Sequence, residues 1–72
     1  MKFNTSDRTY KQFNYWLRGM LKEKKIKQDD VAYRLNISQQ SVSQRLNGIT
    51  EWSFKEIIIV YEMLGIEHEW IS

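Results

Sequence analysis

The sequence has little of the chemistry on which catalytic and metal sites depend. It contains no cysteine and a single histidine, His68, which excludes disulfides, thiolate metal sites and most imidazole-based zinc or proton-transfer sites. It has no glycine-rich phosphate loop and no grouping of a nucleophile with a base. We therefore expect a protein that is not an enzyme, with no cofactor, no metal and no small-molecule substrate.

Long apolar segments are also missing. The longest apolar run, residues 57–61, has five residues, whereas a bilayer-spanning helix needs roughly 20. The residues that follow Met1 do not form the apolar stretch of a signal peptide. These absences predict a soluble, cytoplasmic protein without membrane contact.

The 72 residues are enough for one small domain and too few for two. Because 42% of them are hydrophobic and 14% are aromatic, the composition favours a folded core over a disordered chain. We expect a flexible N-terminal arm over residues 1–6 and a single domain over residues 7–72.

The net charge of +2 conceals a strong asymmetry along the chain. Residues 1–27 carry eight basic and two acidic side chains, residues 28–48 are balanced, and residues 49–72 carry one base against five acids. A basic leading part suits a polyanion or an acidic partner, although a solvated, lysine-rich helix face is an alternative explanation.

Apolar residues recur at steps of three and four throughout, which predicts helices only. We expect helices over about residues 7–24, 28–35, 39–47 and 54–64, and a short last helix or turn that holds Trp70 and Ile71. The residues predicted to face the core from the first three helices are Tyr10, Phe13, Leu17, Met20, Leu21, Val31, Ala32, Leu35, Val42 and Leu46. The predicted fold is a compact all-α bundle of about five short helices.

Local signals mark several helix ends. Ser38 is a natural N-cap, and Ser53 with Glu56 fits a capping box. Gly48 and Gly65 stand where a left-handed residue commonly ends a helix. Asn47-Gly48 is also a hairpin signal, but its flanks do not alternate as strands do. Gly19, inside the first helix, predicts a close approach by another helix.

The second and third helices are joined by a turn of about three residues, the spacing of a helix-turn-helix, whose second helix lies in the DNA major groove. Opposite the apolar side of the third helix lies a polar strip whose amides and hydroxyls can read base edges. The candidate base-reading residues are Gln39, Gln40, Ser43 and Gln44, and the candidate contacts to the DNA backbone are Gln28, Ser38 and Asn47. Amides and hydroxyls are also what solvated short helices ordinarily contain.

At these residues the sequence resembles the Cro and CI, or lambdoid repressor, family of helix-turn-helix proteins. The resemblance covers about residues 13–71 and is carried by Ile26-Lys27-Gln28, Val31-Ala32, Leu35-Asn36-Ile37-Ser38-Gln39-Gln40-Ser41-Val42, Asn47-Gly48, Leu64-Gly65-Ile66 and Trp70-Ile71. It implies a lambda-repressor-like fold in which Gln39, Gln40 and Gln44 read bases, while Gln28 and Asn47 hold the DNA backbone.

The short chain, with no further domain appended, resembles the lytic-side partner of a phage switch. The resemblance implies a regulator of lysis and lysogeny in a bacterial host, acting as an antirepressor by direct binding to its cognate CI-type repressor, with DNA contact in that complex. The alternative is a stand-alone, Cro-like homodimer that reads operator half-sites with its third helix.

Two departures from the family pattern bear on this choice. Arg45 stands where the family often has an apolar residue. After Gly48, where many relatives place bases, this chain has Ile49, Thr50 and Glu51. An acid there repels phosphate, which lowers the expected affinity for DNA alone.

The fourth helix offers a candidate partner interface. On a helical wheel Phe54, Ile57, Ile58, Tyr61 and Leu64 share the predicted core side, with Val60 at its flank. Ile59 and Met63 fall opposite, and Trp52 projects near them, which predicts an exposed apolar stripe for a protein partner. Alternatively, Trp52 folds back and Ile59 is half-buried. Trp16 is predicted to lie in the core.

Overall fold

Apolar residues at helical spacing fold the chain into α-helices, as the sequence predicts. The computed structural model describes residues 8–66, with side chains from residue 11 onward. Within that range it has four helices, α1 (Arg8–Glu23), α2 (Gln28–Leu35), α3 (Gln39–Leu46) and α4 (Phe54–Leu64). The all-α class is therefore confirmed. The predicted arm over residues 1–6 and the last helix around Trp70 and Ile71 lie outside the described residues.

The predicted end signals are present. Ser38 Oγ accepts a hydrogen bond from the backbone N–H of Ser41 at 3.0 Å. Ser53 and Glu56 form the capping box, with Ser53 Oγ accepting from Glu56 N at 3.1 Å and Glu56 Oε1 accepting from Ser53 N at 3.0 Å. Gly48 and Gly65 have φ angles of 78° and 75°, in the left-handed region that glycine adopts without steric cost. Local chemistry thus fixes where α3 and α4 begin and where the chain turns after them.

The core lies where the four helices meet. Its buried members are Leu17, Leu21, Val31, Ala32, Val42, Leu46, Trp52, Val60 and Leu64. The inward side of α1, α2 and α3 is as predicted, since Phe13, Met20 and Leu35 also pack against this cluster. The side chain of Tyr10 lies outside the described residues. Ile66, just after α4, packs against the same cluster and closes the described part of the fold.

The rotation of α4 differs from the prediction. Phe54, expected in the core, is 61% exposed, whereas Val60, expected at the flank, is 1% exposed. Met63, expected on the outside, packs against the core. The reason is that residues 57–60 are apolar on every side of the helix, so their spacing does not define the buried side. Contacts with α2 and the core decide it.

Trp52 is part of the core and not of an exposed stripe. It is 7% exposed, and its Nε1 donates a hydrogen bond to Oδ1 of Asn14 at 2.8 Å. The prediction that Trp52 projects from an exposed stripe is therefore wrong, and the alternative, in which Trp52 folds back, is the one observed. Met63 is half-buried and packs against the core, and Ile59 is also half-buried, so the predicted exposed stripe is not formed.

Two smaller expectations about α1 also fail. Among the described residues, no atom lies within 4 Å of the position that a Cβ would take at Gly19, so none of the four helices approaches there. Trp16 is 39% exposed and lies at the edge of the fold, between Phe13 and Tyr61, with ring centroids 5.9 Å away in both cases. Both residues lie on parts of α1 that the core does not cover.

Candidate nucleic-acid interface

The packing of α2 against α3 leaves one polar side of α3 in contact with solvent. Val42 and Leu46 are buried on the inward side of α3. Gln39 and Gln40 are exposed at its start, and Ser43 and Gln44 are half-buried further along. The structure thus places the four predicted base-reading residues on one eight-residue helix, outside the core.

The residues predicted to contact the DNA backbone lie at the two ends of α3 and at the start of α2. Gln28 is the first residue of α2 and lines a cleft of about 270 Å³, together with Arg18, Leu21, Lys22, Ile26 and Leu46. Ser38 caps α3, and its hydroxyl also donates to Ser41 Oγ at 2.9 Å. Its side chain is thereby occupied within the protein. The DNA contacts of both residues stay predictions.

Asn47, directly after α3, has its amide engaged on both sides. Its Oδ1 accepts a hydrogen bond from Nη2 of Arg18, and its Nδ2 donates to Oγ of Ser43 at 3.3 Å. These bonds connect the end of α3 to α1, 29 residues earlier in the sequence. Asn47 therefore holds Arg18 and Ser43 in place in addition to any DNA contact of its own, which stays a prediction.

Exposed basic residues line the cleft beside this end of α3 and continue into the turn that follows α1. Arg18 and Lys22 line the cleft at Gln28, and Lys24, Lys25 and Lys27 follow in the turn between α1 and α2. We call these five residues the basic edge. The charge count along the sequence predicted a basic leading part, but it did not identify Arg18 as a neighbour of α3, because only the folded chain brings the two together.

Acidic residues limit the positive potential of the same surface. Asp29 and Asp30 are exposed in the first turn of α2, directly after Gln28. Asp30 Oδ2 accepts a hydrogen bond from the Lys27 backbone N–H at 2.9 Å, which satisfies a free donor at the start of the helix. Glu51 is exposed between α3 and α4. The surface around α3 therefore has a basic side and acidic neighbours.

Arg45 fixes α3 to α4. Its Nε and Nη2 donate to the two carboxylate oxygens of Glu56 at 2.9 and 3.1 Å, and its Nη1 donates to the carbonyl of Ser41 at 3.1 Å. The two side chains are only 16% and 17% exposed. This bidentate ion pair replaces the apolar contact that is expected from the resemblance to the Cro and CI family. It also keeps the polar side of α3 facing outward.

The same contacts set the protonation of Glu56. Partial burial acts to raise the pKa of this carboxyl, but the hydrogen bond from Arg45, those from Ser53 and the nearby guanidinium charge outweigh it, so the pKa lies below its ordinary value. Glu56 is consequently ionised at neutral pH and remains bonded to Arg45.

The comparison with protein families agrees with this geometry. A family model described as helix-turn-helix matches residues 17–71, more than half of the chain. The chain belongs to the helix-turn-helix family. This is the Cro and CI type of helix-turn-helix, a family of DNA-binding transcription regulators that often dimerise. No curated protein and no solved structure is significantly similar to the chain.

None of the helices over residues 8–66 has both the length and the apolar content to cross a membrane. Over the same residues there is no group of three or more histidine, cysteine, aspartate or glutamate side chains that could hold a metal ion.

Proposed function

We propose that this helix-turn-helix chain regulates transcription by placing α3 in the DNA major groove. Gln39, Gln40, Ser43 and Gln44 read base edges there. Gln28 and the basic edge contact the phosphates that flank the groove, through side chains and through backbone N–H groups in the first turn of α2. The groove is wide enough for an α-helix, and its base edges present a pattern of donors and acceptors that amides and hydroxyls can match.

The observation that carries this proposal is the position of α3, whose apolar side packs on the core while its polar side faces solvent. Its inward side holds two fully enclosed apolar residues, its outward side begins with two exposed glutamines, and its far end lies against Arg18. Arg18 attaches the end of α3 to α1, and Arg45 attaches it to α4.

The test is selection of duplex DNA from a randomised library, followed by a salt titration of binding to the enriched sequence. Gln40→Ala is expected to weaken that binding by about 1–3 kcal/mol and to relax one position of the selected site. Gln12→Ala, an exposed glutamine of α1, is the matched control and is expected to change neither. Equal enrichment by the Gln40→Ala variant would exclude Gln40 as a base-reading residue, and enrichment of no sequence by the wild type would show that α3 does not read DNA.

A second candidate function is suggested by the acids around α3. Glu51, Asp29 and Asp30 oppose phosphate close to the candidate interface, and residues 49–72 carry a net charge of −4. Since counterion release at phosphates supplies much of the affinity for DNA, these acids weaken stand-alone binding. We therefore propose that the chain acts with a CI-type repressor, as an antirepressor of a phage switch, and contacts operator DNA within that complex.

One experiment distinguishes the two candidate functions. Binding to the selected DNA is measured for the chain alone and in the presence of a CI-type repressor, at several salt concentrations. Tight binding alone, unchanged by the repressor, excludes the second function as the main one. Binding that appears only with the repressor supports it. Ile59→Glu then tests whether the half-buried Ile59 contributes to that complex, provided that the variant keeps its helical signal.

A further inference from the structure

We infer that Arg18 of α1 binds a DNA phosphate and that Asn47 acts on DNA through Arg18, by holding the guanidinium in position. The inference rests on the proposed function, since the phosphate is one that flanks the groove in which α3 lies. The resemblance to the Cro and CI family implies a different role for Asn47, a contact of its own with the DNA backbone. In the structure Oδ1 of Asn47 accepts a hydrogen bond from Nη2 of Arg18, across 29 residues of sequence.

Arg18 lies between two parts of the candidate interface. Its bond to Asn47 places the guanidinium at the end of α3, and its side chain lines the cleft that Gln28, the first residue of α2, and Lys22 also line. Arg18 is exposed. When the second helix of a helix-turn-helix fills the major groove, the neighbouring parts of the protein meet the DNA backbone beside it. The guanidinium therefore lies where a phosphate is expected.

The contact with Asn47 restricts a long side chain before any DNA is bound. A free arginine side chain samples many rotamers, and this freedom is lost when the guanidinium binds a phosphate. With Nη2 bonded to Asn47, part of that loss has already occurred in the free protein. A guanidinium has several N–H donors, so the group that bonds to Asn47 can also bond to a phosphate oxygen. Asn47 thereby favours phosphate binding without touching the phosphate.

Under this inference Arg18 is the phosphate ligand and Asn47 is a positioning residue. Loss of Arg18 removes a positive charge and reduces the salt dependence of binding, whereas loss of Asn47 removes no charge and leaves the salt dependence unchanged. A direct contact of Asn47 with DNA would also leave the salt dependence unchanged. The two explanations of Asn47 therefore differ in whether its effect on affinity requires Arg18.

The experiment is a double-mutant cycle on binding to the DNA sequence that the wild type enriches, with circular dichroism as the check of folding. Arg18→Ala is expected to weaken binding about 10- to 100-fold, from one charge-assisted hydrogen bond, and to reduce the slope of log K against log salt by about 0.9. Asn47→Ala is expected to weaken binding about 2- to 12-fold without a change of slope, because the arginine must then be ordered on binding. In the Arg18→Ala background, Asn47→Ala is expected to change the affinity little.

Lys22 supplies the matched control, because it is a basic residue of α1 that lines the same cleft. Lys22→Ala also removes a charge, but the fold-loss caused by Asn47→Ala is expected to be the same with and without Lys22. If Asn47→Ala does not fold, Asn47→Ser takes its place in the cycle, since its hydroxyl oxygen ends one bond short of the amide oxygen that Arg18 contacts.

A second measurement identifies the phosphate. Neutral methylphosphonates are placed at single backbone positions of the enriched DNA, and binding is compared for the wild type and Arg18→Ala. At one position the substitution is expected to weaken the wild type about 10- to 100-fold and to leave the affinity of Arg18→Ala unchanged. If no position behaves in this way, Arg18 is not a phosphate ligand.

The outcomes distinguish this inference from the proposed function. A loss on Asn47→Ala that is equally large in the Arg18→Ala background overturns the inference and leaves base readout by α3 intact. Coupling of Asn47 to Lys22 as strong as its coupling to Arg18 also overturns it, because the effect is then a general loss of structure. A wild-type protein that enriches no sequence overturns the proposed function and this inference together.

Discussion

Replacement of Trp52 by phenylalanine separates a core role from an interface role for this residue. Phenylalanine keeps an aromatic ring but has no N–H, so Oδ1 of Asn14 loses the donor that lies 2.8 Å away. Asn14 is 5% exposed, and water does not readily replace that donor. An unsatisfied buried polar group costs about 1–3 kcal/mol, and the smaller ring adds about 1 kcal/mol through imperfect packing.

The expected loss is therefore about 2–4 kcal/mol, against a total of about 4–11 kcal/mol for a domain of this size. It corresponds to a fall in Tm of about 8–32 °C. The measurement is chemical and thermal unfolding followed by circular dichroism. Trp16→Phe is the matched control, since Trp16 is 39% exposed and lies at the edge of the fold, and we expect it to cost less than about 1 kcal/mol.

A double-mutant cycle with Asn14→Ala tests the cause of that loss. If the hydrogen bond is responsible, Asn14→Ala costs about 1 kcal/mol less in the Trp52→Phe background than in the wild type. Unfolding midpoints of Trp52→Phe and Trp16→Phe that coincide would refute the assignment of Trp52 to the core. They would also restore Trp52 as a candidate for the partner interface.

Three other predictions concern backbone strain, pH and salt. In denaturant unfolding, Gly19→Ala is expected to stabilise the fold by about 1 kcal/mol, because alanine has the higher helix propensity and meets no atom there. Gly65→Ala is expected to destabilise the fold by about 1 kcal/mol, because alanine is strained at a φ of 75°. Because the pKa of Glu56 is lowered in the folded state, its ion pair stabilises the fold above pH about 4.3, and this stability is lost as the pH falls through the folded-state pKa. Glu56→Gln should reduce the fall of the unfolding midpoint at acid pH, and an unchanged fall would refute the assignment. Lys22→Gln, in the basic edge, should reduce the slope of log K against log salt for DNA binding by about 0.9, whereas Arg34→Gln, whose guanidinium faces α4, should leave the slope unchanged.

Much of the fold follows from signals within a few residues of one another. The serine caps, the left-handed glycines and the apolar spacing of α1, α2 and α3 act locally, so the sequence predicts where these helices lie and which side of each faces inward. The placement of Gln39, Gln40, Ser43 and Gln44 on one helix follows from the same spacing. The family to which the chain belongs is likewise visible in contiguous residues such as Leu35 to Val42.

The sequence predictions are wrong where apolar spacing does not distinguish one side of a helix, and where a contact joins residues that are far apart in the sequence. Residues 57–60 of α4 are apolar on every side of the helix, so a helical wheel does not identify the side that packs, and it predicts the wrong side for Phe54 and Met63. Trp52 lies outside any helix, and its burial depends on Asn14, which is 38 residues away. Neither outcome is encoded in a short window of sequence.

Short stretches of sequence specify the helices, their ends, the helix-turn-helix family and the polar side of α3, because each depends on hydrogen bonds and apolar spacing over a few residues. The rotation of α4, the burial of Trp52 and the contacts that Arg18 and Arg45 make between helices arise only when the helices pack. Those features depend on which distant side chains share the same space, since Arg18 meets Asn47 and Arg45 meets Glu56 only after the helices have packed.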